Sequence, residues 1–284
     1  MTVRWLEAVC GICLTVSVSC QAGNNLDAVI QPRIVIVIDD VGNNLAQGRA
    51  ALALPGPVTY AVLPYSAHGR LLAIAAHELG KDVMLHVPMA NDQNLKLGPG
   101  GLTPDLSETR FKEILNDDLD AVPYAAGLNN HMGSLLTRQR VPMKWVMEVA
   151  KSRNLFFLDS RTTRGSVAWS VARKEGIPAL SRDIFLDHVQ TEAFLSQQFI
   201  QAVKIARKHG SAIVIGHPYP ITTTFLEKAI PALDEAGVQL VSAPALIMQK
   251  QQAELLTKIN KKSYEVARPP SAKCTSSQAY GCNE

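Results

Sequence analysis

Short β-branched runs alternate with amphipathic helical stretches from Arg33 onward, and this alternation restricts the fold more than any other feature of the chain. It is typical of successive βα units, in which each helix returns the chain to the start of the next parallel strand. Glycines lie where the helices are expected to end, because glycine readily adopts the left-handed conformation that follows a helix. The predicted strands are Ile34 to Ile38, Val58 to Leu63, Asp82 to Leu85, Ala126 to Leu128, Leu155 to Leu158, Ile184 to Leu186, Ala212 to Ile215 and Val238 to Val241.

Two of the intervening stretches have a clear helical period, with apolar residues at intervals of three and four. They are Phe111, Ile114, Leu115 and Leu119, and then Leu195, Phe199, Val203 and Ala206. Hydrophobic residues make up 47% of the 284 residues, which is enough for one sizeable core. We therefore expect one main domain over residues 32–249, followed by a helix and a flexible tail over residues 250–284.

Seven or eight strands with helices between them predict an α/β fold of the barrel type, complete or distorted. An open, doubly wound sheet is the alternative that the same pattern allows. Both folds bind ligands at the carboxyl ends of the strands, so the residues directly after each strand are candidates for chemistry. These are Asp39-Asp40, His86, His131, Asp159-Ser160-Arg161, Asp187-His188 and His217.

The adjacent carboxylates of Asp39 and Asp40 follow an apolar strand, and their mutual repulsion is relieved most easily by a cation. The alternative is that Asp40 caps the helix that starts near Asn43 or Asn44. One carboxylate with two imidazoles, leaving positions open for water and substrate, is the ligand set of a hydrolytic Zn²⁺ site. His86 and His131 complete that set, although a buried histidine bound to a backbone carbonyl is an alternative for His86.

The N-terminus resembles a targeting segment, because Arg4 precedes an apolar stretch from Ala8 to Val18 that is too short to span a bilayer comfortably. We expect residues 1–22 to be a signal peptide and the protein to be periplasmic. Cleavage after Ala22 competes with lipidation at Cys20, and an uncleaved N-terminal anchor is the third route. The last two routes would attach the protein to the membrane.

Cysteine usage agrees with export, because the targeting segment and its border hold three of the five cysteines. Cys274 and Cys282 remain in the mature chain, and in an oxidising compartment they are expected to form a disulfide. Two free thiols in the tail are the alternative.

The net charge of +3 is mild, and no basic run interleaves with aromatic residues, so nucleic acid is not expected as a partner.

Five segments occur in an order that resembles the divergent polysaccharide deacetylase family of bacterial envelope proteins. They are Ile38-Asp39-Asp40, His86-Val87-Pro88-Met89, Asn129-Asn130-His131-Met132-Gly133-Ser134, Phe157-Leu158-Asp159-Ser160 and Gly216-His217-Pro218. The resemblance covers Pro32 to Gln249, and the third segment is its most specific element. It implies the distorted (β/α) barrel of glycoside hydrolase-like and deacetylase-like enzymes, and removal of N- or O-acetyl groups from a polysaccharide.

The resemblance also implies roles for individual residues. In polysaccharide deacetylases the first aspartate of the pair is the base, and the second binds metal together with the two histidines of a His-x-x-x-His motif. A late histidine protonates the leaving group. By position, Asp39 is then the base, and His217 is the acid. Because Val-Pro-Met-Ala follows His86, the second motif histidine is absent, and we propose His131 of the next strand in its place.

The resulting hypothesis is a deacetylase of acetylated polysaccharide or peptidoglycan, with Zn²⁺ or another divalent metal held by Asp40, His86 and His131. Around this centre, Asn130, Asp159 and Arg161 are expected to support the ligands or bind substrate, with Arg161 restraining a carboxylate. The altered metal motif favours one rival, a non-catalytic envelope protein that binds glycan or a protein partner in cell-wall remodelling. A metal-dependent amidase acting on peptidoglycan peptides would use the same centre.

Overall fold

The structure is a computed structural model that describes residues 31–267. The predicted signal peptide, the lipidation site at Cys20 and the pair Cys274–Cys282 lie outside the described residues. The strands within this range are β1 (Arg33–Val41), β2 (Thr59–Val62), β3 (Asp82–Met89), β4 (Ala125–Met132), β5 (Phe156–Asp159), β6 (Ala179–Ser181), β7 (Ile184–Phe185), β8 (Ser211–Gly216) and β9 (Gln239–Leu240). The helices are α1 (Leu45–Leu52), α2 (Gly69–Glu78), α3 (Glu108–Ala121), α4 (Arg140–Ser152), α5 (Ala168–Lys174), α6 (Glu192–His209), α7 (Pro220–Ala229), α8 (Ala232–Glu235) and α9 (Ala243–Ala267), with a 3₁₀ turn at Leu136–Arg138.

The strands form one parallel sheet in the order β6-β5-β4-β3-β2-β1-β8-β7. Strand β9 pairs with the start of β1. It lies on the same side of β1 as β2, which pairs with the later residues of β1. Each predicted strand matches a strand of the sheet, while β6 was not predicted because its three residues are too few to show a pattern.

A two-residue link curls the sheet into a distorted barrel. Strands β6 and β7 are the two ends of the strand order, yet only Arg182 and Asp183 separate them in the sequence. The amide of Arg182 donates to the carbonyl of Asp159, and the amide of Asp183 donates to the carbonyl of Ile213. A link of this length spans roughly 10 Å at most, so the ends of the sheet lie side by side. The barrel prediction is therefore confirmed, and the open doubly wound sheet is excluded.

The alternation of side chains along each strand divides the apolar residues into two cores. The larger core lies between the sheet and the surrounding helices, and it includes Ile34, Ile36 and Ile38 of β1. A smaller core fills the barrel interior with alternate residues such as Val35 and Val37.

Helix α9 covers one end of the barrel interior, because Ala243, Leu246 and Ile247 belong to the interior core. The helix begins at Ala243, before the predicted boundary at residue 250, because these apolar residues are needed to cover that core. Among the helices of residues 31–267, none combines the length and apolar character required to cross a membrane.

Local sequence signals set the ends of the two predicted helices. The hydroxyl of Ser107 accepts from the amide of Arg110 at the start of α3, and Thr191 caps α6 in the same way. Such caps contribute about 1 kcal/mol each. Helix α6 ends at Gly210, which has the left-handed conformation expected from the sequence, with φ of 81°.

One carboxyl group in this fold is buried away from any charge partner. Asp118 of α3 is 0% exposed, and neither of its oxygens has a hydrogen-bond partner among the described residues. It lies against Gly100, where a β-carbon would come within 2.1 Å of Oδ1 of Asp118. Burial, assisted by the charge of Asp117, raises the pKa of Asp118 to about 8.

Candidate metal and proton-transfer site

The predicted site residues continue the inward-facing columns of their strands. On β1, Val35 and Val37 belong to the interior core, and Asp39 is the next residue on the same face. On β3, Met84 faces the interior, and His86 follows it two residues later. The interior therefore changes from apolar to ionisable side chains at the carboxyl ends of the strands.

A backbone irregularity turns the second aspartate of the pair toward the site. Asp40 has a φ of 58°, in the left-handed region, and the pairing of β1 with β2 shifts register between Ile38 and Val41. A regular strand would direct the side chain of Asp40 to the opposite face from Asp39. The alternative role of Asp40 as a helix cap is wrong, because the side chain of Asn44 caps α1 by accepting from the amide of Gln47.

Three potential ligand atoms converge at this rim. Oδ1 of Asp40 lies 3.1 Å from Nε2 of His86 and 2.8 Å from Nδ1 of His131, and the two nitrogens are 3.2 Å apart. Oδ1 of Asp40 is buried and accepts no hydrogen bond of normal geometry from the described residues. Ligand atoms around a tetrahedral Zn²⁺ are separated by roughly 3.3 Å. The triangle therefore fits a small divalent metal.

The amide of Asn129 orients His86. Its Oδ1 lies 2.7 Å from Nδ1 of His86, and its Nδ2 donates to Oδ1 of Asp39 at 2.8 Å. Because the carboxylate of Asp39 accepts the amide hydrogen, the amide oxygen must face His86, and Nδ1 of His86 carries the proton. In the neutral ring that metal binding requires, Nε2 of His86 then carries the lone pair directed at the proposed metal position. The backbone-carbonyl alternative for His86 is thus wrong.

The carboxylates and imidazoles strongly shift one another's pKa values. Burial would raise the pKa of Asp40, but the two imidazoles beside it lower that pKa well below its ordinary range. Burial would lower the pKa of His86, but Asp39 and Asp40 outweigh this effect and raise the pKa to about 9. For Asp39 the burial itself dominates, and its pKa is raised. The centre therefore holds strongly coupled charges in a water-poor environment.

His217 stands on the other side of the aspartate pair. Its Nδ1 donates to Oδ1 of Asp187 at 2.9 Å, and its backbone amide donates to Oδ2 of Asp187 at 2.6 Å. The hydroxyl of Thr222 also donates to Oδ2 of Asp187, at 2.8 Å. Although burial lowers the pKa of His217, the bond to Asp187 outweighs it and raises the pKa. Nε2 of His217 lies 3.8 Å from Oδ2 of Asp40, so this nitrogen is directed at the site.

Asn130, Asp159 and Arg161 lie just outside this cluster, and the first two brace loops. Asn130 accepts from the amide of Ser160 and donates to the carbonyl of Met132. Asp159 accepts from the amides of Arg161 and Trp169 and from the hydroxyl of Ser166. The guanidinium of Arg161 is exposed and forms no ion pair within the part of the chain that the structure describes, so it restrains no carboxylate there.

Arg182 is a functional candidate that the sequence pattern did not reveal. It belongs to the link between β6 and β7, and its guanidinium donates to the carbonyls of Ser160 and Arg161 at 2.5 and 2.7 Å. Burial lowers its pKa, against the opposing effect of the charge on Asp39. Arg182 therefore places a positive charge within electrostatic range of the predicted base.

Comparison with known proteins agrees with the resemblance found in the sequence. Residues 36–247 match the family described as "Divergent polysaccharide deacetylase". The uncharacterized protein YibQ of Escherichia coli K12 is 38% identical over 223 residues, which are 78% of this chain and 70% of that protein. An uncharacterized protein of Haemophilus influenzae is 39% identical over 211 residues, which are 74% of this chain and 75% of the relative.

Solved structures support the fold. An uncharacterized protein of Agrobacterium tumefaciens C58 superposes with a TM-score of 0.73 at 21% identity, covering 76% of this chain and 89% of that chain. At this level of identity the likeness concerns the fold, and it agrees with the distorted barrel described above.

Proposed function

We propose that this chain, which belongs to the divergent polysaccharide deacetylase family, is a metal-dependent hydrolase that removes acetyl groups from an envelope polysaccharide or from peptidoglycan. The observation that carries the proposal is the convergence of Asp40, His86 and His131 at mutual distances of 2.8–3.2 Å, next to Asp39 and His217. Family membership supports the glycan substrate, and the ligand set supports the metal.

Asp40, His86 and His131 would hold Zn²⁺ or another divalent cation. One carboxylate and two neutral imidazoles suit zinc, which supplies Lewis-acid polarisation of a carbonyl and lowers the pKa of a bound water. The protein prepares these ligands in advance, because Asn129 keeps the proton of His86 on the far nitrogen. Ala90 stands where the second motif histidine would be, and its buried methyl group offers no ligand atom, so His131 of β4 would supply the third ligand.

Asp39 is suited to accept a proton from the attacking water. Asn129 binds its Oδ1, while Oδ2 lies 3.7 Å from Nε2 of His86 and faces the reaction centre. Burial raises the pKa of Asp39, so its carboxylate is a stronger base than an exposed aspartate. Asn129 thus positions both the predicted base and a predicted metal ligand.

His217 is suited to give a proton to the departing amine or alkoxide. The bond from Nδ1 to Asp187 stabilises the protonated ring and leaves the Nε2 proton directed toward the site. The ring contacts Phe185, with centroids 5.3 Å apart, and Tyr219, with centroids 5.4 Å apart. These contacts restrict the imidazole to one orientation.

A combined metal and product assay tests this proposal. Protein purified without chelator is analysed for bound metal and then incubated with acetylated glucosamine oligomers and with cell-wall glycan. We expect close to one divalent metal per chain, and acetate release that a chelator abolishes and added zinc restores. Metal-loaded protein that releases no acetate from any of these substrates would rule out the deacetylase proposal.

A non-catalytic glycan-binding or protein-binding role in cell-wall remodelling is the second candidate. The observation in its favour is the loss of the second motif histidine at Ala90. The hydrogen-bonded pair of His217 and Asp187 counts against it, because a binding site has no need of a proton donor held in this way. Saturable glycan binding without acetate release would establish this role.

Export to the periplasm is part of the same proposal. The apolar stretch from Ala8 to Val18 and the restriction of most cysteines to its vicinity support it. The proposed substrates are also in the envelope. Membrane attachment through lipidated Cys20 or an uncleaved N-terminus remains an alternative form of the exported protein.

A further inference from the structure

The loop after β5 presents two uncompensated arginines beside the site. It runs over residues 160–167, and Arg161 and Arg164 are both exposed. Neither guanidinium forms an ion pair with a carboxylate among the described side chains of residues 31–261, whereas Arg138, which packs against this loop at Gly165, is paired with Asp92. The loop itself contains no acidic residue. Its surface therefore carries a net positive charge.

Direct contacts connect this loop to the predicted chemistry. Ser160, the first residue of the loop, lies with its hydroxyl 3.2 Å from Nδ2 of Asn129, which also binds Asp39. Arg161 is the next residue in the chain. The loop thus starts two hydrogen bonds away from the predicted base.

The loop is held in place before any ligand arrives. Its backbone is fixed by Asp159, which accepts from the amide of Arg161 at 2.9 Å and from the hydroxyl of Ser166 at 2.7 Å. Thr162 donates to the carbonyl of Met132 at 2.7 Å. Arg161 has a φ of 47°, an uncommon conformation for a residue with a side chain. This backbone conformation redirects the chain directly after Asp159.

Among the described side chains, Arg161 has no ion-pair partner. The guanidinium of Arg182 donates to two carbonyls. Burial is the main cause of its lowered pKa, and the nearby charge of Arg161 lowers that pKa further. Asp183 is also within electrostatic range, but its Oδ2 accepts from the amide of Ile213. Arg161 and Arg182 are thus two like charges within electrostatic range of each other, and an anion bound next to Arg161 would stabilise both.

We infer that Arg161 and Arg164 form a subsite for an anionic substituent, a carboxylate or a phosphate, on the acetylated glycan. This inference rests on the proposed function and narrows it, because it favours acidic glycans over neutral acetylglucosamine polymers. Guanidinium groups suit this task because they bind planar or tetrahedral oxyanions through paired hydrogen bonds.

Binding of matched charged and neutral oligomers tests the inference. The ligands are an acetylglucosamine tetramer, the same tetramer with lactyl carboxylates on alternate rings, the methyl ester of that compound, and a 6-phosphorylated tetramer. Affinities are measured by calorimetry in the zinc-loaded His217→Ala background, so that ligand is not consumed. We expect at least one anionic tetramer to bind about tenfold more tightly than the neutral ligands, with a preference that falls as salt is added.

Variants of the loop assign the preference to these residues. The double variant Arg161→Gln/Arg164→Gln should remove the preference for anionic tetramers. The double variant Arg161→Lys/Arg164→Lys should retain part of that preference. The control Arg49→Gln, on α1, should leave it unchanged. Circular dichroism and thermal melting verify that each variant is folded.

The subsite is disproved if the anionic and neutral tetramers bind equally, if none of them binds, or if the double glutamine variant keeps the preference. Acetate release by the wild-type chain is measured separately. Equal deacetylation of neutral and anionic tetramers would support the proposed function and contradict this subsite.

Discussion

Asp187 holds His217 at two points, accepting from both its backbone amide and its imidazole Nδ1. The carboxylate therefore fixes the position of the residue as well as the orientation of its ring. It touches none of the three predicted metal ligands by a hydrogen bond in the described structure. Proton delivery and metal binding can consequently be separated by mutation.

The first prediction concerns proton delivery. His217→Ala should keep its zinc and lower turnover by about 10²- to 10⁴-fold, the usual contribution of a positioned acid or base. Asp187→Asn should also keep zinc and lower turnover, because the charge that stabilises protonated His217 is removed. Steady-state acetate release and metal analysis are measured on the same samples. Loss of zinc from either variant would contradict the assignment.

The second prediction concerns the third metal ligand. His131→Ala should lose most of its zinc, together with the stabilisation that bound metal gives the fold. His209→Ala, at the exposed end of α6, is the control and should keep both. Metal content and melting temperature with and without chelator are the measurements. Full zinc occupancy in His131→Ala would show that this histidine does not replace the missing motif residue.

The third prediction compares two adjacent asparagines. Asn129→Ala should weaken zinc binding by about 10- to 100-fold, because His86 loses the partner that sets its tautomer and orientation. Asn130→Ala should lower the melting temperature, since it anchors two loops, but leave zinc affinity of the folded protein nearly unchanged. Affinities are obtained by competition with a metal-binding dye. Equal effects on zinc affinity would exclude a specific role for Asn129.

The fourth prediction concerns stability and pH. Because the pKa of Asp118 is raised from 3.8 to about 8 in the folded protein, the folded state binds an extra proton between these values. The free energy of unfolding should therefore fall as pH rises from about 4 to about 8. Asp118→Asn should remove this contribution and stabilise the protein at pH 8 by about 1–3 kcal/mol.

Denaturant melts across this pH range are the measurement for Asp118→Asn. Exposed Asp234→Asn on α8 is the control and should show little change. A stability difference between Asp118→Asn and the wild type that does not vary with pH would contradict the buried-acid explanation.

The fifth prediction concerns processing. Intact-mass analysis of protein from the envelope fraction should find a chain that starts after Ala22 or at lipidated Cys20, with Cys274 bonded to Cys282. A cytoplasmic chain that starts at Met1 and has two alkylatable tail thiols would exclude export.

Periodicity was sufficient to predict the barrel, because apolar strand segments such as Ile34 to Ile38 and Ala212 to Ile215 alternate with helical stretches along the chain. It failed for β6, where three residues beside Pro178 have no detectable period. The start of helix α9 was predicted too far along the sequence. Its first apolar residues, from Ala243 to Ile247, cover the barrel interior, and only the three-dimensional fold reveals that interior.

The candidate ligands could be predicted because they follow the strands directly in the sequence. Their supporting partners could not, since these depend on strand register. Asn129 reaches His86 because the two residues are opposite each other on β4 and β3, and this pairing cannot be read from either strand alone. Arg182 was missed because the strand that precedes it was missed.

The short link at Arg182 and Asp183 has an evolutionary consequence. It joins the two ends of the sheet, so its length limits how far apart those ends can lie. An insertion between Ser181 and Ile184 would release that limit without altering β1, β3 or β4, which bear the three predicted ligands. Descendants of this scaffold can therefore widen the barrel at this one position while inheriting the three predicted ligands unchanged.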